Sequence, residues 1–186
     1  MKRTTLTLMR HAKSSWKNQD QTDHDRPLNG RGNRDAPDMA QRLVTRNQIP
    51  DLILCSTAQR TRETTAHLLS VFGEPAPQVL FNKSLYLASP NTLLAALHDV
   101  PDNILHAMIV AHNPGMEDLS SLLSSSYADT MPTTAIRQFS CACSLAELPK
   151  IFAAGGDSAR SATHSTALSA ADIQLTYSDY PKNSNS

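Results

Sequence analysis

Thr5-Leu6-Thr7-Leu8-Met9-Arg10-His11 is the stretch whose reading decides the fold. Its first five residues form a short apolar run with the look of a buried strand, and the run ends in an arginine beside a histidine. An arginine supplies a planar fork of donors that matches phosphate oxygens. A neutral imidazole is a nucleophile near pH 7. As a lone dipeptide the pair would carry little weight. It gains weight because two later strand-like runs end in complementary residues.

Outward from this stretch, the chain alternates strands and helices. After a polar stretch from Lys13 to Asn29, Ala36, Met39, Ala40, Leu43 and Val44 form one helical stripe, with Pro37 expected near the first turn. Asp51 to Cys55 reads as a buried strand, and Ser56 and Thr57 offer N-caps for a helix that Gly73 ends after Phe72. Val79 to Phe81 is a further strand, and Asn91 to His98 a short helix. Ile104 to Ala111 is almost wholly apolar, as a strand covered on both faces must be. Asn113-Pro114 reads as an N-cap followed by a proline at the first helical position, with Met116, Leu119, Leu122 and Leu123 as the buried stripe. Ile136 to Leu145 and Ile173 to Tyr177 are the last strand candidates.

This alternation predicts an α/β fold, a three-layer α/β/α sandwich around a mostly parallel sheet. Ligands of such sheets bind beyond the carboxyl ends of the strands. Arg10-His11, the Ser56 to Thr64 turn with Arg60, and His112 would then lie along one sheet edge. Each has a plainer reading alone: Arg60, Arg62 and Glu63 as a solvated helical face, His112 as a hydrogen-bonded structural histidine, Arg26 as an exposed loop charge.

At 186 residues the chain suits a single domain, 1–186. The Ser/Ala/Thr/Gly-rich stretch 155–171 is expected to be a mobile loop and 181–186 a frayed tail. Lys+Arg and Asp+Glu are 17 each, so no global field favours nucleic acid and any anion site must be local. The apolar run after Met1-Lys2-Arg3 is too short for a secretory core, and no run is long enough to span a bilayer. Cys55, Cys141 and Cys143 are odd in number and lack paired spacing, which favours free buried thiols over a disulfide framework or a zinc site. The expected location is therefore the cytoplasm. His24, His67, His98, His106 and His164 have no partners at metal-ligand spacing and read as structural or solvated.

In order, Arg10-His11, Arg26, Ser56-x-x-x-Arg60-Thr61-x-Glu63-Thr64 and His112-Asn113-Pro114-Gly115 resemble the histidine phosphatase (phosphoglycerate mutase-like) superfamily. Arg10-His11-Ala12-Lys13-Ser14, Asp25-Arg26-Pro27-Leu28-Asn29-x-Arg31-Gly32, Leu85-Tyr86-x-Ala88-Ser89 and Met131-Pro132-Thr133-Thr134-Ala135 resemble its SixA-like phosphohistidine phosphatase branch. The resemblance spans roughly residues 4 to 140. It implies that His11 attacks phosphorus in line and forms a phosphohistidine intermediate that water hydrolyses. It implies that Arg10, Arg60 and His112 surround the equatorial oxygens, where charge must be stabilised. Arg26 matches a further pocket arginine, Asn113 could add a hydrogen bond, and neither metal nor cofactor is implied.

The same resemblance sharpens the substrate. Larger members acting on alkyl phosphates use a carboxylic acid, between the second helix and the second histidine, to protonate the leaving oxygen. Here Pro75 to His98 contains no Asp or Glu, and Asp99 and Asp102 fall at the far end of the strand leading to His112. Glu117 is the remaining carboxylate candidate. An imidazole leaving group needs little help from an acid. The expected substrate is thus a protein carrying phosphohistidine. The alternatives are a small phosphomonoesterase acting on a sugar phosphate or nucleotide, and a phosphate-binding or interaction module without turnover.

Overall fold

The computed structural model describes residues 3–124, 130–153 and 172–181. The order of elements is β1 (Thr4–Arg10), α1 (Gly30–Thr45), β2 (Leu52–Ser56), α2 (Gln59–Phe72), β3 (Gln78–Asn82), α3 (Pro90–Ala95), β4 (His106–Ala111), α4 (Gly115–Ser124), β5 (Ile136–Cys141), α5 (Leu148–Ala153) and β6 (Ile173–Asp179). They build a three-layer α/β/α sandwich on a six-stranded sheet of order β3-β2-β4-β1-β5-β6. The first four strands are parallel, and β5 runs against both its neighbours.

Alternation along each strand divides the core. Leu6 and Leu8 of β1 and Ala107 and Ile109 of β4 face Leu93, Leu94, Leu119 and Leu123 from α3 and α4. Met9, Met108 and Val110 face the other way, onto Met39 and Leu43 of α1 and Leu68 and Phe72 of α2. Both faces of the central strands are covered, which is why β4 is nearly continuously apolar.

Four local expectations need correction. Pro37 lies in the interior of α1, because the helix begins earlier, at Gly30, capped by the Asn29 side chain on the Gly32 amide. The residue at the start of α2 is Ala58, with no side-chain cap, because Ser56 completes β2 and its hydroxyl is used elsewhere. The helix after β4 starts at Gly115, and the Asn113 side chain donates to the Met131 carbonyl instead of capping it. The strand expected over Ile136 to Leu145 stops at Cys141, and Leu145 opens a short 3-10 turn instead. The stretch 155–171 and positions 182–186 of the expected tail lie outside the described residues, while Pro181 is buried.

Two glycines let backbone segments touch near the carboxyl edge of the sheet. A Cβ on Gly32 would meet the Lys13 carbonyl oxygen at 2.3 Å, and one on Gly115 would meet that of Ala88 at 1.9 Å. Gly32 therefore lets the chain just after β1 lie against α1, and Gly115 seats α4 beside the Ala88 turn.

Candidate active site

Register brings the strand ends together before any side chain is considered. Arg10 pairs with Ala111 across β1 and β4, and Cys55 with Val110 across β2 and β4. His11, His112 and Ser56 consequently emerge side by side at one edge. The His11 and His112 ring centroids are 5.1 Å apart.

The tautomer of His11 is set by its neighbours. Nδ1 lies 2.8 Å from the Ala12 carbonyl oxygen, which can only accept, so Nδ1 carries the proton. Arg60 Nε donates to Nε2 at 3.3 Å, so Nε2 presents its lone pair. Burial, joined by the charges of Arg60, Arg10 and Arg26, lowers the His11 pKa to about 3 against the opposing pull of the Ala12 carbonyl. The imidazole is neutral at physiological pH.

His112 is held from the neighbouring strand. Its Nε2 is 2.8 Å from the Ser56 hydroxyl, while Nδ1 is buried without a hydrogen-bond partner among the described residues. Burial, then His11 and Arg60, lowers its pKa to about 2. Arg60 is not a solvated helical residue: it is 3% exposed. Nη2 and Nη1 reach the Asp23 carboxylate and carbonyl at 2.9 and 2.5 Å. Arg62 stays at the surface, donating to the Thr57 carbonyl. Glu63 accepts from the Leu28 amide at 2.6 Å and so ties α2 to the loop carrying Arg26.

Arg26 is buried, donates to the Ser14 hydroxyl at 2.5 Å, and lies 3.4 Å over the ring of Trp16. Arg10 donates from Nη1 to the Met131 carbonyl at 2.8 Å, and the Asn113 amide donates to the same oxygen at 3.1 Å. Glu117 accepts from the Met131 amide at 2.7 Å, so its carboxylate braces that loop. Among the described residues, buried atoms without hydrogen-bond partners gather here: Arg10 Nε, Arg26 Nε and Nη1, His112 Nδ1, Asn113 Oδ1 and Thr134 Oγ1. The three arginine nitrogens are donors that an anion would satisfy.

The structure thus brings Arg10, His11, Arg26, Arg60 and His112 into one basic cage, with Asn113 at its Met131 side. Sequence reasoning missed Ser56 as the partner of His112, and also Asp23 and Trp16, and it quoted Tyr86 in a motif without giving it a role. The Tyr86 ring packs edge-on against both His112 and His24, at 5.4 and 4.9 Å. Thr134 is a β-branched residue at φ 69, and its amide donates to the carbonyls of Arg10 and His11. Only the position of Asp23, three residues before Arg26, hinted at its presence here. Among the described residues no group of three His, Cys, Asp or Glu side chains is arranged to hold a metal ion.

Residues 6–80 match the family model described as the histidine phosphatase superfamily (branch 1). A candidate phosphohistidine phosphatase SixA from Agrobacterium tumefaciens, solved as a crystal structure, is 30% identical, with a TM-score of 0.64 over 73% of this chain and 91% of that one. The chain belongs to the histidine phosphatase superfamily. Within that superfamily it falls in the SixA-like branch. The candidate SixA from Nakamurella multipartitia shares its fold over 96% of both chains, with a TM-score of 0.74 and 24% identity. An uncharacterized protein of Mycobacterium tuberculosis is 38% identical over 117 residues, 63% of this chain and 70% of its own length. As a member of this superfamily the protein is a phosphatase. No helix among the described residues of this histidine phosphatase is long and apolar enough to cross a membrane.

Proposed function

We propose that the protein removes phosphate from phosphohistidine on a protein substrate, with His11 as nucleophile. Nε2 attacks phosphorus in line, the substrate imidazole departs, and water then releases phosphate from phospho-His11. Arg10, Arg60 and His112 contact the equatorial oxygens, Arg26 adds charge beside Asp23, and Asn113 braces the Met131 turn. Three guanidinium groups supply the positive charge, so the reaction needs no metal ion.

The observation that carries this reading is the pairing of His11 Nδ1 with the Ala12 carbonyl while Nε2 faces Arg60. A buried, neutral imidazole with a fixed tautomer and guanidinium groups around it is what in-line attack on a phosphoryl group requires. Two carboxylates bear on the leaving group. Glu117 is occupied by the Met131 amide. Burial pushes the Asp23 pKa up, but the hydrogen bond from Tyr86 and the Arg60 charge outweigh it, leaving the group below its ordinary range. An ionised Asp23 does not protonate an alkoxide, which favours an imidazole leaving group. Three free, buried thiols fit a reducing compartment, and the cytoplasm is the location we propose.

Two measurements test the reading. Acid-quenched single turnovers with labelled phosphoprotein should trap a phosphoenzyme that His11→Ala abolishes; absence of label in the wild type would leave a binding module. Faster cleavage of sugar phosphates or nucleotides than of a phosphohistidine protein would make it a phosphomonoesterase instead.

A further inference from the structure

One acidic side chain stands within the basic cage. Asp23 Oδ2 accepts from Arg60 Nη2 at 2.9 Å and from the Tyr86 hydroxyl at 2.6 Å. Oδ1 has only the 3.3 Å ion-pair approach of Arg26 Nη1 among the described residues. The carboxylate is therefore held by α2, by Tyr86 and by its own loop, and still keeps an oxygen open. Its side chain is 45% exposed, whereas His11 and His112 are 7% and 2% exposed. Asp23 lies nearer solvent, and His11 lies deeper.

The guanidinium of Arg60 spans these two positions. Its Nε meets His11 Nε2 and its Nη2 meets Asp23 Oδ2. A phosphoryl group lying along that guanidinium has the nucleophile at one end and the Asp23 carboxylate near the other. In-line displacement puts the leaving group opposite the nucleophile, hence on the Asp23 side.

We propose that Asp23 selects the leaving group, its open carboxylate oxygen accepting a hydrogen bond from the ring N–H of a phosphorylated imidazole. This rests on the phosphohistidine reading and names the contact that would enforce it. As the bond from His11 Nε2 to phosphorus forms, the bond from phosphorus to the substrate ring nitrogen breaks. The electron pair goes to that nitrogen. The proton on the far ring nitrogen stays where it is, so a protonated ring departs as neutral imidazole. Asp23 remains ionised throughout and favours the protonated, better-leaving form of the ring. An alkoxide offers no such N–H, and a leaving group bearing its own carboxylate or second phosphate meets like charge.

The test compares kcat/KM for phosphoimidazole and for 4-nitrophenyl phosphate, whose phenolate leaves without a proton. Asp23→Asn should lower the phosphoimidazole to 4-nitrophenyl phosphate ratio about tenfold or more, the loss of one charged hydrogen bond. Asp23→Glu, which keeps the charge, should hold the ratio within about threefold of wild type. An equal fall on both substrates in Asp23→Asn would make Asp23 a positioning residue for Arg60 and overturn the proposal, as would collapse of the ratio in Asp23→Glu. Wild-type enzyme inert towards phosphoimidazole but active on 4-nitrophenyl phosphate would instead remove the phosphohistidine reading, and this proposal with it.

Discussion

The hydroxyl of Ser56 lies 2.8 Å from Nε2 of His112, so the last residue of β2 orients the ring that follows β4. The two strands are adjacent and parallel, and their register leaves these side chains level at the same edge. The ring is buried, its other nitrogen has no hydrogen-bond partner among the described residues, and the serine sets which way it turns.

Ser56→Ala leaves His112 Nε2 buried without a partner. The expected cost is about 1–3 kcal/mol of stability, with a fall in kcat from the freed ring. Urea denaturation and steady-state kinetics on the same variant measure both. Unchanged kcat would mean that Ser56 does not orient His112 for turnover.

Arg60→Lys keeps a positive charge but cannot reach His11 Nε2 and Asp23 with one planar group. We expect kcat/KM to fall about 10²- to 10³-fold, as when a positioned donor to the reacting oxygens is lost. Stability should change far less than activity. Kinetics beside a thermal melt check this, and a drop below tenfold would reduce Arg60 to a general source of charge.

Acid should destabilise the protein before its carboxylates are protonated. Burial lowers the pKa of His106 to about 4, His11 to about 3 and His112 to about 2. An unfolded histidine takes up a proton near 6.5, whereas these resist until the pH approaches their folded values. The stability these neutral rings contribute is therefore fully present above pH 6.5 and is lost progressively as the pH falls from there towards their folded values of about 4, 3 and 2. Urea midpoints at pH 7.5, 5.5 and 4.5 should decline in that order. His106→Gln should make the decline shallower, and an unaltered slope would contradict the assignment to buried histidines.

Gly115→Ala places a methyl group 1.9 Å from the Ala88 carbonyl oxygen, which belongs to backbone and cannot swing aside. The expected loss is about 1–3 kcal/mol. The shift also reaches α4 and the loop after His112, so kcat should fall with it. Differential scanning calorimetry is the direct measurement, and an unchanged melting temperature would show that the turn yields freely.

Trp16 is 71% exposed, yet Arg26 stacks on its ring. Removing it by Trp16→Ala should cost at most about 1 kcal/mol of stability. The looser Arg26 should raise KM by a few-fold while kcat is nearly kept. A fall in kcat with KM constant would instead place Arg26 at the reacting phosphate.

Sequence periodicity was sufficient for most of the scaffold. Ile104 to Ala111 is almost wholly apolar on both alternating faces, a pattern demanded by burial between two helical layers, while Thr5 to Met9 alternates Leu6 and Leu8 with Thr5, Thr7 and Met9. The start of α1 was harder, because Asn29 caps it through a local hydrogen bond that no apolar pattern announces. Ser56 likewise had two possible uses, capping a helix or holding His112, and only the second is taken.

By itself the sequence determined the layers, the strand ends that meet, and the identity of Arg10, His11, Arg60 and His112 as the residues to examine. These follow from periodicity and residue chemistry, which are local. Only the tertiary structure decided which nitrogen of His11 is free, which residue steadies His112, and that Asp23 enters the cage beside Tyr86. Those contacts join residues 1, 56 and 63 positions apart. The last two depend on strand register and loop path, and the first on the burial that makes a single carbonyl decide a tautomer.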